Sequence, residues 1–544
     1  MKKKILFLVC LAGLIVGLYY GLGLIGKNDA MNEPTLQQKV ESYATVELSS
    51  PLYDNLSEND KQILELFRKA AQVADRLFWK QTFGDKDSFL SSLKTDAQKA
   101  YAQINYGPWD RLDGNKPFIE GYAAKPLGCR YYPEDITREE FDAFQDPDKN
   151  SLYTVLRRDE NGKLKCVWYR DEYKEDIVEM CSYLEQAAAL AQHPGLKNYL
   201  LERIKAFRTD DYLASDLAWM DMKGTNMDFV IGPIENYDDK FNEAKASYES
   251  FILLKDESRS SDLAKYISFL PELQTMLPCA PEYKTFVPGT SSDLNVYDVI
   301  YYAGDSNAGS KTIAINLPND ERVHALRGTR RLQLYNTMMA KFDAMVRPIG
   351  ELLIVPDQQK YLSADAFFWN VTFHEVAHGL GVKTTVNGKG SVDEAMGTER
   401  TTWEEAKADI LGLFMVCTLI DKGEVTNITK EEAITTFIGG FVRSIRFGSA
   451  SSHAKGNMMC YNWFRNHGAF TRNEVGMYMI DFDKALEAIN SWADKILTTQ
   501  ATGDFEGAKA FAAQNATVNK TLADDIARVN AAGIPRDICF RYGW

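Results

Sequence analysis

Apolar positions define a long hydrophobic run at the N terminus of the chain. Residues 5–25 contain no charged side chain and follow three lysines. At about 1.5 Å per residue, a helix of this length crosses a bilayer core roughly 30 Å thick. The lysines predict that this end stays in the cytoplasm and that the rest of the chain is exported. Because residues 23–26 make a poor cleavage site, we interpret residues 1–27 as an uncleaved transmembrane anchor, with a cleaved signal peptide as the alternative.

Helical spacing of apolar residues begins after a polar segment, residues 28–38, that we interpret as a short tether. Ser57 and Asp60 predict the start of a helix, because a serine that caps the first turn is often answered by an acidic residue three positions later. Apolar residues then recur at helical spacing over residues 63–78, and a further helix is predicted over residues 176–192.

The middle of the chain has a different pattern. Residues 247–254 and 311–317 predict strands, the second because it is rich in β-branched residues and ends at a proline. Beyond residue 321 the apolar spacing is mostly helical as far as the C terminus. The sequence therefore predicts an α+β protein with a strand-rich lobe over residues 39–320 and a mainly helical lobe over residues 321–544.

Composition narrows the range of functions. The 544 residues are 45% hydrophobic and 25% charged, which is typical of a globular protein and excludes disorder or fibrous structure for most of the chain. There are 62 basic and 76 acidic residues, a formal net charge of −14, which argues against a nucleic-acid partner. The cysteines show no metal-binding spacing. Nothing in the sequence predicts an obligate protein partner.

The clearest chemical motif is an HExxH sequence in a chain that has only six histidines. On a helix, His374 and His378 lie on one face, so both imidazoles can bind one Zn²⁺, while Glu375 can act on the attacking water. The alternative is a helix with two surface histidines near a local carboxylate.

A catalytic zinc site usually has a third protein ligand. Glu405 follows at a suitable distance, and Asp409, one helical turn later, can accept a hydrogen bond from a ligand histidine. Glu404 is likewise predicted to support the ligands from outside. Thr402 and Glu405 also fit a capping box, in which Glu405 would only fix the start of the helix. The spacing leaves both interpretations of Glu405 open.

The metal motif and the sequence EEAKADILGL resemble the dipeptidyl-peptidase III family of zinc peptidases. They are most similar to its bacterial and plant branch, in which such a domain can be fused to a Nudix domain. Further similar segments lie at residues 106–109, 125–141, 231–237, 315–321 and 452–463. The resemblance covers about residues 55–480.

This resemblance implies a two-lobed enzyme with a mainly helical zinc-binding lobe, a lobe containing a β-barrel, and substrate in the cleft between them. His374, His378 and Glu405 match the family's zinc ligands, which favours the ligand interpretation of Glu405. Glu375 matches its general base, and Asp409 matches its acid beside the ligands. We expect one Zn²⁺ per chain.

Other matched positions concern the substrate. His453 matches a histidine that stabilises the transition state from across the cleft. Asn316 and Asn319 match positions that contact the substrate backbone. The family's tyrosine that polarises the scissile carbonyl aligns with Val230, so that this role is vacant or is taken by Tyr237.

Two further departures are visible. The zinc motif has five residues where better-known members have six, and Lys455 and Asn457 stand where an arginine is expected after the cleft histidine. The main prediction is zinc-dependent hydrolysis of short peptides, with release of N-terminal dipeptides. Because donors are missing, the alternative is a membrane-tethered, zinc-containing peptide-binding protein with little or no turnover.

The expected location follows from the N-terminal run. An uncleaved anchor would hold the catalytic region outside the cytoplasmic membrane, in the periplasm or cell envelope. With a cleaved signal peptide, the enzyme would instead be soluble in the periplasm. The expected partners are a short peptide substrate and, through the N-terminal helix, the membrane.

Overall fold

The computed structural model describes residues 34–288, 293–448 and 451–543. The N-terminal anchor expected from the sequence lies outside these residues, as does the first part of the expected tether. In the described part of the chain, no helix combines the length and the apolar character that crossing a membrane requires. Helix α1 (Leu36–Glu41) begins within the last residues of the expected tether.

The elements that follow, up to the central sheet, are mostly helical. They are β1 (Tyr43–Leu48), α2 (Glu58–Thr82), α3 (Lys86–Ser92), α4 (Asp96–Asn105), β2 (Trp109–Asp110), β3 (Lys116–Pro117), α5 (Arg138–Ala143), β4 (Thr154–Arg158), β5 (Leu164–Trp168), α6 (Tyr169–Glu172), α7 (Lys174–Leu190), α8 (Pro194–Thr209) and α9 (Leu213–Asp221).

The central sheet and its connections come next. They are β6 (Met227–Glu235), β7 (Ser247–Asp256), α10 (Glu257–Ile267), α11 (Leu270–Met276), β8 (Asp293–Gly304), β9 (Ala314–Leu317), α12 (Glu321–Arg327) and β10 (Arg330–Leu334).

The last third of the chain is mainly helical, as the sequence predicted. It contains α13 (Tyr335–Lys341), α14 (Arg347–Leu353), α15 (Pro356–Gln359), α16 (Ala364–Ala377), α17 (Val392–Met396), α18 (Arg400–Asp421), α19 (Lys430–Ile445), α20 (Ser452–Asn466), β11 (Phe470–Arg472), β12 (Tyr478–Ile480), α21 (Phe482–Thr502), α22 (Phe505–Asn515), α23 (Lys520–Ala531) and β13 (Asp537–Tyr542).

The five central strands form one curled sheet in the order β6-β7-β8-β10-β9. Strand β10 runs parallel to β8, and the other neighbouring pairs are antiparallel. The expected barrel is therefore wrong in its closure: within the described residues the sheet is an open half-barrel, with β6 and β9 at its edges. Strands β1 and β13 pair in parallel, which ties the two ends of the described chain together.

Two hydrophobic cores give the molecule its two lobes. The sheet-lobe core contains Phe67, Leu184 and Phe229, and the helical-lobe core contains residues of α16, α18, α19, α20 and α21. The sheet lies between the two cores. Leu332 of β10 belongs to the sheet-lobe core, whereas Val296 of β8 belongs to the helical-lobe core.

Several local predictions are confirmed. Ser57 caps α2, with its hydroxyl 3.1 Å from the amide of Asp60. Helix α7 and strand β7 lie where residues 176–192 and 247–254 predicted them. Strand β9 is shorter than residues 311–317 predicted, because the buried Lys311 donates to the backbone oxygen of Asn307 in the preceding turn.

Candidate metal centre

The HExxH motif occupies the end of helix α16. Ser363 caps the start of this helix, accepting a hydrogen bond from the amide of Ala366 at 3.3 Å. His378 follows the last helical residue and keeps helical backbone angles of −57° and −28°. The two histidines therefore keep their one-turn spacing, and their ring centroids are 5.0 Å apart. His374 is buried, with 8% of its surface exposed.

Helix α18 carries the candidate third ligand. It begins at Arg400, with Glu399 at the capping position, so Thr402 lies inside the first turn and its hydroxyl does not cap the helix. The capping-box alternative for Glu405 is therefore wrong. Glu405 and Asp409 lie one turn apart and face the histidines, which is the arrangement that the sequence spacing predicted.

A glycine allows the two motif helices to approach closely. A Cβ atom at Gly412 would lie 2.8 Å from the backbone nitrogen of His374, so only glycine lets the backbones touch here. Gly456 of α20 has a similar role, because its Cβ would lie 3.2 Å from the nitrogen of Ala406 in α18. Close backbone contact brings side chains of three helices to one point.

The residues at this point fit a zinc ion. One ligand atom each from His374, His378 and Glu405 lies within 4.8 Å of the other two. The Oε2 atom of Glu405 is buried and lies 3.4 Å from Nε2 of His374, yet it accepts no well-directed hydrogen bond. A buried carboxylate oxygen without a partner is costly unless something binds it. Two imidazoles and a carboxylate are a common donor set of catalytic zinc.

Acids outside the ligand atoms orient both histidines. Nδ1 of His374 lies 2.7 Å from Asp409, and Nδ1 of His378 lies 2.9 Å from Glu404. With Nδ1 held by an acid, Nε2 of each ring faces the shared point. Asp409 also accepts a hydrogen bond at 3.2 Å from Asn457, one of the two residues at the position of the expected arginine.

Electrostatics keep these acids ionised. Burial opposes ionisation of Glu405, but His374 and His453 hold its pKa well below the ordinary value. Burial likewise opposes ionisation of Glu404, yet Lys407 and His378 lower its pKa to about 2. Both carboxylates therefore carry negative charge at neutral pH, which favours a divalent cation.

Glu375 lies between the two histidines in the motif and is half-buried. Among the residues that the structure describes, its carboxylate has no hydrogen bond or ion pair. An unengaged carboxylate next to the candidate ligands can accept a proton from an attacking water.

His453 is the residue whose position differs most from expectation. It lies on α20, which packs against α18, and its Nδ1 is 2.9 Å from Oε2 of Glu405. His453 is therefore beside the candidate ligands and not across a cleft from them. Its side chain is 61% exposed, so the other face of the ring is open to solvent.

The remaining predicted residues gather on the sheet lobe. Asn316 is exposed on the edge strand β9, and the Nδ2 atom of Asn319 is 3.5 Å from the backbone oxygen of Ile234. Tyr237 is 65% exposed. Burial raises the pKa of the Glu235 carboxyl, while Asn319 and Tyr237 oppose this through hydrogen bonds.

Glu235 thus joins two predicted residues that the sequence had left unconnected. The signal for Glu235 was present in the segment at residues 231–237. The sequence alone did not indicate that β6 and the turn after β9 meet at the open edges of the sheet, where this contact forms.

Comparisons with known proteins agree with this site. The profile of peptidase family M49 matches residues 145–407. The chain is 30% identical to Nudix hydrolase 3 of Arabidopsis thaliana over 569 aligned residues, covering 93% of this chain and 73% of that protein.

Two solved structures match nearly the whole chain. Dipeptidyl-peptidase III from Caldithrix abyssi is 34% identical with a TM-score of 0.90, and the match covers 93% of this chain and 99% of that one. Dipeptidyl-peptidase III from Corallococcus sp. strain EGB is 34% identical with a TM-score of 0.80, covering 94% and 97%. The chain therefore belongs to peptidase family M49, the dipeptidyl-peptidase III family, and is a metallopeptidase of that type.

Proposed function

We propose that this protein hydrolyses short peptides with zinc held by His374, His378 and Glu405, and that it releases dipeptides from the N terminus. The observation that carries the proposal is the buried, unpartnered Oε2 atom of Glu405 beside two oriented imidazoles. When bound, zinc supplies a Lewis acid that polarises a carbonyl and lowers the pKa of water toward about 7.

Glu375 performs the proton transfers. Its free carboxylate accepts a proton from water as the water attacks the peptide carbonyl carbon. The same carboxyl then gives the proton to the leaving amine, so that it returns to its ionised state. A positioned acid–base of this kind typically contributes about 10² to 10⁴-fold in rate.

His453 and the sheet-lobe residues act on the peptide. With one ring nitrogen near Glu405, His453 can donate from its exposed side to the carbonyl oxygen as negative charge develops there. Asn316 and Asn319 bind the substrate backbone at the exposed edge strand. The contact of Tyr237 with Glu235 supports a role in substrate binding for Tyr237.

We also propose that the enzyme acts outside the cytoplasmic membrane. The support is the uncharged run at residues 5–25 with its flanking lysines. Membrane fractionation and protease accessibility of the full chain test this location.

The experiment for the activity uses the full chain and a pool of unlabelled peptides, from tetrapeptides to decapeptides, read by mass spectrometry. We expect products that lack their two N-terminal residues, lost on chelation and restored by added zinc. Products cut only at internal bonds would overturn the exopeptidase assignment. Absence of all cleavage in zinc-loaded protein would favour the peptide-binding alternative.

A further inference from the structure

Arg331 is an unpaired cation between the two lobes. It lies on strand β10 and is half-buried, and within the described residues it makes no hydrogen bond or ion pair. Its Nε atom is fully buried without an acceptor. A guanidinium carries five donors and stays charged, so burial without a partner costs folding free energy. Such a residue is retained when something outside the chain accepts its hydrogen bonds.

The neighbouring arginine shows that the strand can pair a cation fully. Arg330 points to the opposite face of β10, where its guanidinium lies 3.0 Å from Asp228 and 3.0 Å from Asp293. Only 4% of the Arg330 side chain is exposed. Two adjacent arginines therefore differ in kind, because one holds the sheet lobe together and the other has no partner there.

The face of Arg331 is directed at the helical lobe. Side chains on a strand alternate between faces, so Arg331 shares its face with Gln333. Across the ladders, Arg331 is in register with Asn316 on β9 and with Leu294 on β8, and Leu294 belongs to the helical-lobe core. Gln333 is fully buried, and both polar atoms of its amide lack partners. Polar groups exceed their partners along this part of the sheet.

The HExxH helix faces this strip. Phe368 lies two turns before Glu375 on the same side of α16, and its ring packs on Tyr335, the residue directly after β10, at 5.3 Å. Burial lowers the pKa of Arg331, and the charge of Glu375 opposes this shift, which means that the two groups are near one another. Arg331 therefore lies between the proposed base and Asn316.

We propose that Arg331 is a substrate-contacting residue whose guanidinium donates to a main-chain carbonyl oxygen of the bound peptide, at or next to the bond that is cleaved. This inference rests on the proposed function. A carbonyl in that position fills the free donors of Arg331. It also aligns the peptide between the edge strand, which binds its backbone, and the base, which acts on its reacting bond.

The test compares Arg331→Met, Arg331→Lys and Arg330→Met in the zinc-loaded full chain. We expect Arg331→Met to lower kcat/KM for a tetrapeptide about 100-fold, in the range of a lost carbonyl donor. Its unfolding midpoint should stay unchanged or rise, because an unpaired buried charge is removed. Arg331→Lys should recover at least part of the activity. Arg330→Met should lower the unfolding midpoint, because it leaves two aspartates unpaired.

Several outcomes separate this inference from its neighbours. If Arg331→Met loses stability together with activity, the residue has a structural role and the proposal fails. The proposal also fails if kcat/KM changes less than about threefold, well below the loss of a donor. Loss of the Arg331 effect on a C-terminally amidated tetrapeptide would assign the contact to the terminal carboxylate and contradict it. If the wild type cleaves nothing, the proposed function itself fails.

Discussion

Two buried charge clusters in this protein look alike in composition but differ in completeness. In the sheet lobe, Asp238 accepts bonds from both terminal nitrogens of Arg111 at 2.8 Å and from Lys125 at 2.7 Å. In the helical lobe, Glu405 is nearly as enclosed, yet one of its oxygens has no hydrogen bond. Burial of charge is therefore a poor guide to function here, and the unfilled atom is the better one.

The difference has a physical basis. A fully paired cluster has already regained its hydration energy from the chain, so a ligand adds nothing. A cluster with an open position keeps a cost that a bound ion can remove. Variants in the first cluster should change folding, and variants in the second should change metal binding.

The largest effect is expected for Asp238→Ala. Removing this carboxylate leaves Arg111 and Lys125 buried and unpaired, which typically costs about 3–5 kcal/mol of unfolding free energy. Denaturant unfolding of the metal-free protein measures it. The matched control is Asp113→Ala, whose exposed pair with Lys116 should contribute at most about 1 kcal/mol. Equal losses for the two variants would contradict the comparison.

Asp409→Ala should act on the metal. Without its hydrogen bond at 2.7 Å, the ring of His374 loses its fixed orientation, and zinc affinity should fall about 10 to 100-fold. Competition with a chromophoric chelator measures this affinity. Asp421→Ala on the same helix is the control, because Asp421 pairs only with Lys430 and should leave zinc affinity unchanged. An unchanged affinity in Asp409→Ala would remove the support for the helix pair as a metal centre.

The smallest effect concerns pH. Burial would raise the pKa of Asp238, but Arg111 and Lys125 hold it well below its ordinary value. A carboxyl with a lowered pKa stabilises the fold above its unfolded pKa of about 3.9 and loses that contribution as the pH falls further. The stability difference between wild type and Asp238→Ala should thus be constant from about pH 8 to about pH 5 and shrink below about pH 4. A difference that shrinks already near neutral pH would contradict this.

The helical site could be predicted from the sequence because its information is local. Two histidines one turn apart and an acid pair one turn apart specify faces of helices whatever the rest of the chain does. The same holds for the Ser57 cap of α2.

Features that depend on distant contacts could not be predicted in this way. The position of His453 beside Glu405 depends on Gly456, which lets α20 lie against α18. The open sheet and the contact of Asn319 with β6 depend on how the strands curl. The contrast between Arg330 and Arg331 is invisible in sequence, because only the packing of each face decides which arginine finds an acid.

The central claim is that a metal-dependent reaction runs through Glu375. Its most direct test compares peptide cleavage by the zinc-loaded wild type and by Glu375→Gln, with zinc content measured in both. Glutamine keeps the size of the side chain but cannot accept the proton, so we expect zinc to stay bound while kcat falls about 10³-fold. Equal cleavage rates in the two proteins would contradict the account.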